Sequence, residues 1–106
     1  MTTADAYRYA LPAAVPAADL EDTLALAVLA CQALHGEAQV RLDAAYQFDG
    51  RRRTCAIDAA TAVGRDLNRL FAGLLAREFG PTAFEVCRGE PDRAPARRRG
   101  PKPAAA

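Results

Sequence analysis

A chain of 106 residues, 51% apolar and 25% charged, holds one domain with a real core and no more. No run approaches the roughly 20 apolar residues that span a bilayer, and the start MTTADAYRYALPAAV lacks the basic-then-apolar order of a signal peptide. No membrane partner is therefore expected, and the expected location is cytoplasmic.

The net charge of +1 hides an asymmetry. From Arg88 onward the chain carries six basic residues against two acidic ones, a surplus of four that leaves residues 1–87 at −3. A single domain over 1–88 is expected, followed by a basic tail over 89–106 whose Pro/Ala/Arg composition buries too little apolar surface to fold. Arginine outnumbers lysine thirteen to one and alanine is abundant, a bias that suggests a bacterium with a GC-rich genome. Cys31, Cys55 and Cys87 are odd in number and never form a C-x-x-C pair, so reduced thiols are expected rather than disulfides or a zinc site.

In chain order, YRYALPAAV (7–15) alternates well enough for an opening strand. Asp19 to His35 then reads as a helix, with Asp19 or the preceding turn as cap, Glu21 and Asp22 at the positive end of its dipole, and His35-Gly36 as its stop. Leu20, Leu24, Ala27, Cys31 and Leu34 form a core stripe at 3/4 spacing. The opposite side carries Leu26, Leu29, Ala30 and Ala33, and no charge falls between Asp22 and Glu37. A helix facing water should show charges there, so these four residues are the expected protein interface.

Asp49-Gly50 predicts a two-residue hairpin turn, because both central positions of that turn take positive φ. The register that follows pairs Leu42 with Ile57, Ala44 with Cys55, Val40 with Ala59 and Tyr46 with Arg53 on an apolar face. On the polar face it pairs Arg41 with Asp58, Ala45 with Thr54 and Gln47 with Arg52. Arg51 and Arg53 would then point to one side and Arg52 to the other, which splits the arginine triplet. A second helix is predicted over Thr61 to Phe79, capped by Thr61 and stopped by Gly80-Pro81, with Val63, Leu67, Leu70, Phe71 and Leu74 inward and Arg65 and Arg69 outward. AFEVCR (83–88) closes the domain as a strand. The order β-α-β-β-α-β predicts an α+β fold of ferredoxin-like type: a four-stranded antiparallel sheet with two helices on one face. Arg41, Asp43, Thr54, Ala56 and Asp58 would lie on the open face.

Catalytic signals are few. The chain has no serine, its one histidine (His35) suits a helix C-terminus, and no carboxylate stands in a fixed relation to it. Cys31 and Cys55 fall on inward positions, and Cys87 has only Arg88 beside it. No cofactor and no catalytic or metal-binding residue is expected. The function read from these features is a non-catalytic interaction module that self-associates or binds a protein. One alternative is nucleic-acid association through Arg51, Arg52, Arg53 and the tail residues Arg97, Arg98 and Arg99. Another is small-anion sensing at the start of the second helix, with Arg65 adding charge.

Overall fold

The computed structural model describes residues 5–89. Seven elements follow one another: β1 (Ala6–Ala10), α1 (Ala17–His35), α2 (Glu37–Asp43), β2 (Tyr46–Asp49), β3 (Thr54–Asp58), α3 (Ala62–Phe79) and β4 (Glu85–Arg88). The strands form one sheet in the order β2-β3-β1-β4, and every neighbouring pair is antiparallel. The fold is therefore α+β with a four-stranded antiparallel sheet, as the sequence predicts, but with three helices instead of two. The residues beyond Gly89, with Arg97, Arg98 and Arg99 among them, lie outside the described residues.

The core lies between the helices and one face of the sheet. Register places Tyr7 and Tyr9 of β1 opposite Ile57 and Cys55 of β3, so the four share that face. Tyr9, Cys55 and Ile57 are buried there against Leu20 of α1 and Val63, Leu67, Phe71 and Leu75 of α3. The Tyr9 and Phe71 rings meet edge to face with centroids 5.0 Å apart, the arrangement that aromatic quadrupoles favour. The Tyr9 hydroxyl donates to the Asn68 side-chain carbonyl, which satisfies the one polar atom this ring takes inside.

Helix α3 follows its predicted pattern closely. The Thr61 hydroxyl accepts the Gly64 N–H at 2.9 Å, the expected cap. Val63, Leu67 and Phe71 are buried, Leu70 and Leu74 are half-buried, and Leu75 completes the stripe. Gly64 is there for space: a Cβ at this position would stand 2.0 Å from the Asp58 carbonyl oxygen. Only glycine lets the start of α3 come this close to the end of β3. Helix α1 begins at Ala17 behind Pro16, so the preceding turn provides the cap and Asp19 falls in the first turn. Leu34 does not belong to the core stripe. It is 67% exposed, and Thr23, buried at 5%, takes a place the stripe did not include.

The expected hairpin register is overturned. Residues 37–43 form helix α2, not a strand, so Leu42 and Ile57 are not neighbours: Leu42 is 78% exposed and Ile57 fully buried. The segment EAQVRLD consists largely of good helix formers, and it is tied at i,i+4 by Gln39 to Asp43 at 2.6 Å and Arg41 to Glu37 at 3.4 Å. Its single buried residue is Val40. The turn between β2 and β3 spans Gly50 to Arg53, and the left-handed residue is Arg53 (φ 56°). Asp49 does not flank a two-residue turn. Its carboxylate instead accepts the N–H groups of Arg51 (3.0 Å) and Arg52 (3.2 Å) and stabilises a longer loop. The observed pairs are Tyr46 with Ile57, Gln47 with Ala56, Phe48 with Cys55 and Asp49 with Thr54. The slip is an even number of residues, so the side assignment of β3 survives although every partner changes. Arg41 and Asp43 leave the sheet with α2, and Arg41 pairs with Glu37 instead of Asp58.

Candidate functional site

The outer side of α1 is apolar as the sequence suggests. Leu26 and Leu29 are 57% and 61% exposed, Ala33 is exposed and Ala30 half-buried. The structure adds a second wall. Tyr46 and Phe48 of β2 face the helices because they pair with Ile57 and Cys55, yet β2 is an edge strand and α1 covers them incompletely. Between α1 and this edge runs a groove of about 400 Å³, lined by Leu24, Ala25, Val28 and Leu29 on one side and Tyr46 and Phe48 on the other, with Glu21 at its rim. Sequence reasoning missed Tyr46 and Phe48 because the assumed turn set Tyr46 against Arg53 at the hairpin tip. The i,i+2 aromatic pair at 46 and 48 was the available signal, since residues two apart in a strand share a face.

The arginine triplet is split, but differently from the prediction. The Arg53 guanidinium turns into the loop and donates to the carbonyls of Val15 (2.7 Å), Gly50 (2.7 Å) and Arg51 (3.2 Å). It holds the β1–α1 connection against the hairpin and thus has a structural task. Arg51 and Arg52 are exposed, with the Arg52 Nε 4.0 Å from Asp49. On the open face of the sheet, Gln47, Ala56 and Arg8 lie in one row across three strands. A groove of about 470 Å³ there is lined by Arg8, Gln47, Asp49, Arg52 and Thr54. The outward positions of β1 and β3 carry no aromatic ring on which a base could stack, and Tyr7 and Tyr9 face the helices. Arg65 is exposed, and its guanidinium lies 3.4 Å from the Ala60 carbonyl. At the start of α3 the Thr61 hydroxyl already takes the Gly64 N–H, and the Thr61 carbonyl takes that of Arg65.

His35 does have a carboxylate partner. Its Nε2 lies 2.8 Å from the Asp66 carboxylate, which joins the end of α1 to α3, and Arg69 approaches the same carboxylate at 3.7 Å. The pair escaped detection because it links residues 31 apart in the chain. Cys31, one turn before His35, is fully buried, and its thiol donates to the Val63 carbonyl at 3.5 Å. Burial first, and Asp66 second, push its pKa up, so it is no activated nucleophile. Burial likewise pushes Cys55 up to about 12. Asp43 and Asp58 do not form a dyad: Asp43 accepts from Gln39, and Asp58 accepts the Ala60 N–H at 2.9 Å. Among the described residues no three His, Cys, Asp or Glu side chains gather as metal ligands, and no helix is long and apolar enough to cross a membrane.

Comparison of the chain with protein-family models finds no match, and comparison with curated proteins and solved structures finds no significant one.

Proposed function

We propose that this chain is a non-catalytic interaction module working through the outer side of α1 and the adjoining edge of β2. The observation that carries the reading is one helix with three exposed leucines (Leu26, Leu29 and Leu34), no charged residue from 23 to 36, and an apolar groove extending it to Tyr46. Scattered surface leucines are ordinary, but here they border a shaped apolar groove. Full burial of each large apolar side chain against a partner would contribute about 1.5–3 kcal/mol. The strand order, with helices joining β1 to β2 and β3 to β4, supports reading the domain as a ferredoxin-like plait with α2 added. That fold hosts unrelated activities and favours no function by itself. Three free thiols support a place in the cytoplasm.

The test compares the wild type with a Leu26→Glu/Leu29→Glu variant in two readouts, mass in solution and fluorescence of an apolar dye. The wild type is expected either to assemble or to bind dye, and the variant, folded by circular dichroism, to do neither. Identical behaviour of both proteins in both readouts removes the reading.

A second reading, association with nucleic acid, draws support from Arg8 and Arg52 lining one groove of the open face. It requires affinity that falls steeply with salt and is lost on deleting residues 93–106; affinity insensitive to salt rules it out.

A further inference from the structure

Arg53 does more than order the loop that carries it. We infer that it is a strap closing one end of the α1–β2 groove, and that releasing it lengthens the groove beneath Ala17. This inference rests on the interaction reading above and concerns how much of that surface is open.

Four hydrogen bonds converge on this one residue. Its carbonyl accepts the Leu11 N–H at 3.0 Å. Its guanidinium donates to the carbonyls of Val15 (2.7 Å), Gly50 (2.7 Å) and Arg51 (3.2 Å). The β1–α1 connection is thus pinned to the β2–β3 loop at Leu11 and again at Val15, just before α1 begins.

What the strap covers is apolar. The Gly50 backbone lies against the Phe48 ring and the start of α1: a Cβ added there would stand 3.3 Å from the ring and 3.5 Å from the Ala17 Cβ. Phe48 is a wall of the groove, and Ala17 lies one turn before Glu21 at its rim. Val15 is half-buried against the core. Lifting residues 50–53 away from Val15 and Ala17 therefore uncovers Phe48 and Val15, next to apolar surface that is already exposed.

The closed form is held against a backbone preference. Arg53 has φ 56°, the one left-handed residue other than glycine among the described residues. A Cβ disfavours that conformation, which persists only where surrounding bonds impose it. All three acceptors of the guanidinium are neutral carbonyls, and the side chain is half-exposed. Water can replace them without leaving a charge buried and unpaired. Opening forfeits the bonds and frees the backbone, so the two forms lie closer in energy than the bonds alone would set them.

The test reads apolar-dye fluorescence and thiol reactivity on the full chain, wild type beside Arg53→Ala. Alanine keeps a Cβ at position 53, so the variant removes the guanidinium and leaves the backbone preference in place. Cys87 is exposed while Cys31 and Cys55 are buried, so a folded chain should show one fast thiol and an unfolded chain three. Arg53→Ala is expected to keep one fast thiol and to bind severalfold more dye than the wild type. Arg53→Lys replaces a planar fork by a single point of charge and should fall between the two. One fast thiol together with wild-type dye binding overturns the inference. If Arg53→Ala shows three fast thiols, Arg53→Lys decides by the same criteria. Three fast thiols in both variants also overturn it, because Arg53 then holds the whole domain and not one end of a groove. The interaction reading fails separately, when wild type and Leu26→Glu/Leu29→Glu behave alike; dye gained on releasing Arg53 does not depend on that comparison.

Discussion

Helices α1 and α3 are nearly equal in length, 19 and 18 residues, and lie side by side over the same sheet. Their buried sides are alike: leucines and small residues pack against Tyr9, Cys55 and Ile57. Their outer sides differ. Helix α3 shows Arg65, Arg69, Arg77 and Glu78 to solvent, whereas α1 shows Leu26, Leu29 and Leu34 and has no Asp, Glu, Lys or Arg along its last thirteen residues. Both inner faces meet the same sheet, so folding within the chain accounts for both of them. It accounts for the outer face of α3 as well, but not for that of α1. The contrast locates the part of this molecule that intramolecular packing leaves unexplained.

Substitutions can break this contrast or sharpen it. The largest loss is expected from Phe71→Ala on the inner side of α3, where the ring is fully buried against Tyr9. Chemical denaturation should show a loss of about 3–5 kcal/mol. Gly64→Ala should follow, at about 1–3 kcal/mol by the same measurement, because its methyl forces the start of α3 away from the Asp58 carbonyl. A native-like stability for this variant would mean that the β3–α3 junction can yield.

Alkaline pH acts on the shared inner layer. Burial raises the Cys55 pKa from its ordinary 9.0 to about 12, and burial raises Tyr9 as well, with Cys55 and Tyr7 adding to it. The folded state holds these protons more tightly than the unfolded chain. Stability is therefore fully present below pH 9 and falls between about pH 9 and 12, by about 1.4 kcal/mol per pH unit for each group that titrates only on unfolding. Thermal midpoints across that range would show it, and a Cys55→Ala variant should flatten the slope.

The smallest effect belongs to the outer side of α3. Arg69→Ala removes an exposed 3.7 Å contact with Asp66 and should change stability by less than about 0.5 kcal/mol. Substituting Leu29, also exposed but on α1, is expected to change assembly and not folding. If both substitutions prove silent in every readout, the two outer faces are equivalent and the contrast disappears.

Helix α3 was legible because cap, stripe and stop agree with one another: Thr61, the 63-67-71 spacing and Gly80 all point to one helix. The hairpin was legible as a hairpin, since Asp49-Gly50 does mark a reversal. Its register was not, because Asp49 spends its carboxylate on two loop N–H groups and Arg53, not Gly50, takes the left-handed conformation. Over 37–43 the alternation of Val40 and Leu42 resembles a strand, while the contacts at i,i+4 belong to a helix. Seven residues do not separate the two periods. On the candidate surface, Leu26, Leu29, Ala30 and Ala33 could be read from the missing charges. Tyr46 and Phe48 depended on the register and were lost with it. The His35–Asp66 pair is a tertiary event with no local signature.

The Thr61 hydroxyl occupies an unusual crossroads. It donates to the Asp43 carbonyl at 3.1 Å, where α2 ends, while accepting the Gly64 N–H where α3 begins. Most capping hydroxyls are free to spin their hydrogen toward water, but this one has its direction dictated from both sides. Aspartate, usually as good a cap as threonine, would here set its negative charge against a carbonyl oxygen. The ranking of residues tolerated at position 61 should therefore depart from that of ordinary helix starts, with serine accepted and the acid refused.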